Sequence, residues 1–248
     1  MDPQAGSISQ ITGDGAEARV AQQNLLLDSL PDVELTALLD HAERFKSPLR
    51  ELFFEMGDPI ERVYFPLTGL ASLVTVLKDG TSLEAMTVGR EGFVGLPLFH
   101  RITTHRSKGM CQMEGEFYRI PADAFTRVLT NAPELRAMLH RYSQYTNEVL
   151  AQSAACNSSH MVEQRCARWL LTTSDAIGKT RFNLTQEFLS QMLAVRRPGV
   201  TVAMGALVRR SLISTDYGAV TLLDVEGLQK AACECYGTIR DSARDLLS

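Results

Sequence analysis

Along the chain the spacing of hydrophobic positions changes character twice. In NLLLDSLPDVELTALLDHAERF, Leu30, Val33, Leu35, Leu38 and Leu39 recur at helical spacing, which predicts a short helical stretch. From Pro48 to about Pro121 the texture becomes short β-rich runs, RELFFEMGDP, RVYFPLTG, LASLVTVLKDG, LEAMTVGREG and GMCQMEGEFYRIP, punctuated by Gly, Asp and Pro. Such runs predict a small antiparallel barrel or sandwich, and Lys78-Asp79-Gly80-Thr81 supplies the Asp-Gly pair of a tight hairpin. Beyond Pro121 the pattern is helical.

From Pro133 onward, Leu135, Met138, Tyr142, Tyr145, Val149, Gln152 and Cys156 repeat in alternating steps of three and four. This is the stripe of a helix packed along another helix, read here as a dimer seam; the other use of such a stripe is to lie on its own domain. A second helix follows, with Val162, Cys166, Trp169 and Leu170 on one face and its end near Gly178. FNLTQEFLSQMLAVRRPGVTVAMGALVRRSLISTDYGAVTLLD then reads as helix, tight turn, helix and a two-stranded hairpin turning at Tyr217-Gly218.

The arginines in that stretch carry the functional argument. Thr185 suits an N-cap, with Gln186 and Glu187 in the first turn; the chain breaks at Ala194-Val195, and Pro198 falls at N1 with Arg197 as cap and Arg196 in the turn. A helix amino end is already partly positive, so two cations there are unfavourable unless an anion is met. With Val200, Met204, Leu207 and Val208 facing inward, Gly199, Thr201, Val202 and Gly205 leave a thin outer face that fits a DNA major groove. Thr185, Gln186, Arg196, Arg197, Gly199, Thr201 and Val202 are therefore the candidate DNA contacts. Lys179, Arg181, Arg196, Arg197, Arg209 and Arg210 face only Glu187 between residues 179 and 210, a local balance of +5 in a chain of net charge −4.

Composition narrows the classes further. At 45% hydrophobic and 22% charged, 248 residues make one large domain or two modest ones. Residues 1 to 22, poor in large apolar side chains, read as a loose tail. No apolar run approaches the roughly 20 residues of a membrane span and no secretory leader is seen, so no membrane association and a cytoplasmic location are expected. Five scattered cysteines read as reduced, buried small hydrophobes. Cys233 and Cys235 form C-x-C on what reads as a helix, where positions two apart diverge, and His100, His105, His140 and His160 show no ligand spacing; no metal or cofactor is expected. No nucleophile-base constellation or phosphate-cradling glycine loop argues for an enzyme.

The chain resembles the Crp/Fnr family of bacterial transcription regulators. ELFFEMGDPIERVYFPLTGLASLV, with Gly57-Asp58, Tyr64-Phe65 and Gly69, is similar to that family's cyclic-nucleotide-binding-type β-roll, and LTQEFLSQMLAVRRPGVTVAMGALVRRSLI to its winged helix-turn-helix. The resemblance implies an α+β chain with an amino-terminal antiparallel β-roll sensor domain (23–132), a long dimerisation helix (133–157) and a carboxy-terminal winged helix-turn-helix (158–248). It implies a homodimer reading two half-sites of double-stranded DNA about one turn apart, with RNA polymerase as a further partner. Leu135, Met138, Tyr142, Tyr145, Val149 and Gln152 would form the dimer interface.

Family members that bind cyclic AMP carry Gly-Glu and, some ten residues later, Arg-Ser. Here Gly95 and Arg106-Ser107 keep their places, Leu96 replaces the glutamate, and Lys108 replaces the small residue that follows. The ribose thereby loses a charged hydrogen bond of about 1.5–3 kcal/mol, so cyclic AMP is not expected. Gly95, Leu96, Arg106 and Ser107 line either a pocket for another anionic small-molecule effector or a degenerate one. The amino terminus also lacks the cysteine cluster of the family's oxygen-sensing branch. The alternative to a DNA-binding regulator is a sensor or interaction module that never touches DNA.

Overall fold

A computed structural model describes residues 24–80 and 82–246; the tail expected over residues 1–22 lies outside them. The first helical stretch is two helices, α1 (Leu25–Asp28) and α2 (Asp32–Leu39), separated at Pro31. Val33 is 82% exposed, against the expectation of an apolar stripe. Buried Glu34 does the structural work instead: its carboxylate accepts the backbone N–H groups of Glu134 and Leu135 at 3.1 and 2.8 Å, capping the long helix that begins there.

Seven antiparallel strands make the first domain: β1 (Glu43–Ser47), β2 (Leu52–Phe54), β3 (Arg62–Pro66), β4 (Leu70–Val76), β5 (Ser82–Val88), β6 (Lys108–Met113) and β7 (Gly115–Pro121). They form two sheets, ordered β1-β7-β3 and β2-β6-β4-β5. The first strand falls where the sequence reads as the end of a helix, because ERFKS has too few apolar positions to declare its period. The β4–β5 connection spans residues 77–81, longer than a two-residue turn, and Thr81 lies outside the described residues. In the core, Phe65 stacks on Phe93, which packs in turn against Phe125 and Tyr142, while Phe117 packs against Phe45 and Phe53.

A one-turn helix α3 (Leu96–Phe99) interrupts the strands, and α4 (Ala122–Thr130) leads to the long α5 (Pro133–Ser159). The expected dimer stripe is buried by its own chain. Leu135, Met138, Tyr142, Tyr145 and Val149 are all less than 8% exposed and join the β-roll core together with Ile239 and Leu246, while half-buried Gln152 donates to the Cys235 sulfur at 3.0 Å. Tyr142 further donates its hydroxyl to Phe93 O at 3.1 Å. A three-and-four period states that one side of a helix is covered; it does not state by what.

The last segment comprises α6 (Val162–Ile177), ended by Gly178 in the left-handed region, β8 (Arg181–Asn183), α7 (Gln186–Met192), α8 (Arg197–Arg209), β9 (Ile213–Asp216), β10 (Ala219–Leu222), α9 (Val225–Ala231) and α10 (Cys235–Leu246). The expected two-stranded hairpin is a three-stranded sheet, β8-β10-β9. At its tip Tyr217 (φ +44°) and Gly218 (φ +82°) give the two positive φ values of a type I′ turn. C-x-C is not on a helix: Cys233 lies in the turn before α10 and Cys235 is its first residue.

The second core joins both domains. Leu70, Val74 and Met113 of the β-roll share a buried cluster with α6, α7, α8 and the wing sheet. Arg50 lies over the Phe188 ring at 5.5 Å, and the Trp169 indole N–H donates to Glu84 at 2.9 Å.

Candidate nucleic-acid interface

The interface is built on α7 and α8. Thr185 Oγ1 accepts the Phe188 N–H at 3.1 Å, the N-cap its position predicts, while Phe188, Leu189 and Met192 are buried. Between the helices Ala194 holds φ +48°, a conformation that a residue with a Cβ adopts only under strain. Arg165, buried on α6, donates to Leu193 O and so anchors this turn. The second helix starts one residue earlier than its proline suggested: Arg196 is the N-cap, Arg197 the first helical residue and Pro198 the second.

On α8, Val200, Ala203, Met204 and Leu207 face the core, whereas Val208, expected inside, is 39% exposed. Arg196, Arg197 and Thr201 are exposed, Val202 is 69% exposed, and half-exposed Gly199 leaves open space where a Cβ would stand. Thr201 Oγ1 lies 2.7 Å from Gln186 Oε1 and 3.1 Å from Arg197 O, linking the two helices on their outer side. All seven predicted DNA-contact residues thus belong to one helix-turn-helix unit.

Charge sharpens the picture. Arg210 pairs with Glu163 at 2.9 Å and Arg181 approaches Asp216 at 4.0 Å. Lys179, Arg196, Arg197 and Arg209 form no ion pair among the described residues, which leave the positive potential at the head of α8 uncompensated. Tyr217, fully exposed at the wing tip, joins this surface; its place as the first residue of the Tyr-Gly turn was the available signal.

The four candidate ligand residues also converge. Gly95, Leu96, Arg106 and Ser107 line one cavity of about 80 Å³, and Gly95 holds φ +132° where a Cβ would strike Val63. Phe54 and His105 also line it and stack directly on each other with ring centroids 3.3 Å apart, and burial pushes the His105 imidazole down to about 4, so the stack is uncharged near neutral pH. Sites that enclose a nucleotide-sized ligand run from about 300 Å³ upward. A larger cavity of about 320 Å³ lies between the domains, lined by Glu84, Tyr145, Arg168, Trp169 and Tyr236 among others.

Residues 46–132 match the model of the cyclic nucleotide-binding domain, and residues 164–231 match the Crp-like helix-turn-helix domain. The chain belongs to the Crp/Fnr family of transcription regulators. Transcriptional regulator LdrP of Thermus thermophilus is 26% identical over 197 residues, which cover 74% of this chain and 93% of that protein. The c-di-GMP-responsive global regulator CLP of Xanthomonas campestris superposes with a TM-score of 0.64 at 19% identity, covering 77% and 99% of the two chains. FixK2 of Bradyrhizobium japonicum gives 0.62 at 14% identity, covering 77% and 98%. At such identities the two structures speak for the fold, and the family supplies the function: this Crp/Fnr chain is a DNA-binding transcriptional regulator. No helix among the described residues is long and apolar enough to cross a membrane.

Proposed function

We propose that this Crp/Fnr regulator works in the cytoplasm as a homodimer that places two copies of α8 in successive major grooves, with Tyr217 against the flanking backbone and RNA polymerase as the downstream partner. The observation that carries this reading is the outer face of α8, where exposed Arg196, Arg197, Thr201 and Val202 stand at a helix amino end and the two arginines have no counter-charge among the described residues. Arg197 is suited to a guanine edge or a phosphate, Thr201 to a thymine methyl. Dimerisation uses the outward side of α5, where Ala137, Gln144, Leu150, Ala151 and Ala154 are exposed, since the inward stripe is already covered. The small side chains there allow two helices to approach closely. Signals enter through the β-roll and its contact with α6 and α7; cyclic AMP is not the signal in this arrangement, because the Arg106 pocket is too small and lacks a ribose acceptor.

Duplexes selected from random DNA, titrated by anisotropy across a salt series, test the reading. Affinity should fall steeply with salt, and Arg197→Ala should lower discrimination between selected and scrambled duplexes. Salt-insensitive binding, or no selected sequence at all, would defeat it.

A further inference from the structure

One cluster of chemically capable side chains lies away from the DNA-facing surface, at the junction of the two domains. Cys156 is in the last turn of α5, His160 is that helix's C-cap, Cys233 is in the turn after α9, and Cys235 opens α10. Their ligand atoms all lie within 4.8 Å of one another. Cys156 Sγ is 3.5 Å from Cys233 Sγ, and Cys235 Sγ is 3.5 Å from His160 Nδ1. Cys156 and His160, four apart on one helix, face the same way, and the C-x-C turn brings its two sulfurs in from the other side.

Packing does not account for this convergence. The three cysteines are buried but form a cluster of their own, outside both large hydrophobic cores, whereas Cys111 and Cys166 are buried elsewhere. His160 also presents the right nitrogen: its Nε2 faces Glu234 Oε1 at 3.2 Å, a carboxylate that fixes the ring and leaves Nδ1 toward the sulfurs. Such an outer carboxylate is the usual support of a metal-bound imidazole.

We propose that Cys156, His160, Cys233 and Cys235 form a tetrahedral Cys₃His site for a zinc-class divalent ion, stapling the end of α5 to the start of α10. Zinc–sulfur bonds of about 2.3 Å place tetrahedral ligands roughly 3.8 Å apart, close to the spacing here. A multi-iron cluster needs its thiolates spread more widely than one ion's ligand sphere, and a disulfide needs sulfurs at about 2.05 Å, so the spacing favours a single ion. Three thiolates on a dication leave one negative charge, which the nearby Arg168 guanidinium is placed to offset. Loading requires no electron transfer. The ion displaces the thiol protons to solvent, and a neutral imidazole completes the set. The sequence alone concealed the site because its halves lie some 75 residues apart, and His160 shows no spacing to another histidine.

The test uses the full chain purified under reducing conditions. Elemental analysis should find about one zinc per chain, and cobalt substitution should give thiolate charge-transfer bands with the intense visible bands of a four-coordinate ion. Cys156→Ser and Cys233→Ser should lose the ion, Cys111→Ser should keep it, and His160→Cys should bind cobalt with a shifted, all-sulfur spectrum. Circular dichroism of each variant separates lost ligands from lost fold; where a serine variant fails to fold, the wild-type cobalt spectrum decides. An absence of stoichiometric ion after reconstitution, a six-coordinate spectrum, iron–sulfide absorption, or unchanged loading in folded Cys156→Ser and Cys233→Ser would each overturn the assignment. Duplex binding is absent from these readouts, so failure of the DNA-reading role leaves the outcome untouched.

Discussion

Single residues at the helix-turn-helix carry separable energies. Ala194 sits at φ +48° in the turn, where a Cβ crowds the backbone at a cost of about 1–2 kcal/mol. Glycine there removes that strain but adds freedom to the unfolded chain, so Ala194→Gly should stabilise by about 0.5–1 kcal/mol, seen as a Tm rise of roughly 1–3 °C in calorimetry. The exposed cations divide by role. Arg197, at the first position of α8, should act on bases, and its replacement by alanine should cost about 1–3 kcal/mol on a selected duplex and little on random DNA. Lys179, just before the wing sheet and with no ion pair among the described residues, should act on phosphate: Lys179→Ala should weaken all duplexes alike and flatten the slope of log affinity against log salt by about one. A uniform loss from both variants in anisotropy titrations would remove the distinction.

At the level of elements, α5 shows how far a hydrophobic pattern can be read. Leu135, Met138, Tyr142, Tyr145 and Val149 announced a covered face correctly, yet a period cannot say whether a second chain or the β-roll does the covering. Leu139, fully buried beside them, should therefore report on folding: Leu139→Ala should lose about 2–5 kcal/mol in denaturant titration, independent of protein concentration. Ala151→Arg, on the exposed side, should leave that stability unchanged and shift sedimentation toward monomer. The opposite pattern would restore the stripe as the seam. The helix-turn-helix was legible because Thr185, Pro198 and the arginines are local signals whose meaning is set within a few residues. Strands β1 and β8 were not, since ERFKS and RFN gain their partners from residues at least 36 positions away. The ligand pocket was legible as a set of residues but not as a volume: Gly95 and Arg106-Ser107 mark its rim, while the Phe54–His105 stack that lines it pairs two rings 51 positions apart.

In the whole molecule, the two domains meet across a carboxyl that titrates near physiological pH. Glu84 on β5 accepts Ser72 Oγ at 2.8 Å and the Trp169 indole N–H at 2.9 Å, beside the larger cavity. Burial pushes its pKa up to about 7 against those two hydrogen bonds and the attraction of Arg168. The sign follows from linkage. A carboxyl harder to ionise in the docked state than in water leaves docking at full strength below the ordinary carboxylate value of 4.5, and docking weakens progressively as pH rises through about 7. The whole swing is at most about 3 kcal/mol, enough to shift a two-state domain contact if the free-energy gap is of similar size. Trp169 is the chain's only tryptophan, so its fluorescence reports this contact without a label. Between about pH 5 and pH 8 its emission should shift to the red with a midpoint near 7, as the indole is released toward solvent. Glu84→Gln keeps an acceptor for the indole and a partner for Ser72 but carries no titrating charge, so its emission should stay flat over the same range. A flat wild-type profile, or an identical titration in Glu84→Gln, would locate any pH response of this regulator elsewhere than the junction between its β-roll and its DNA-reading helices.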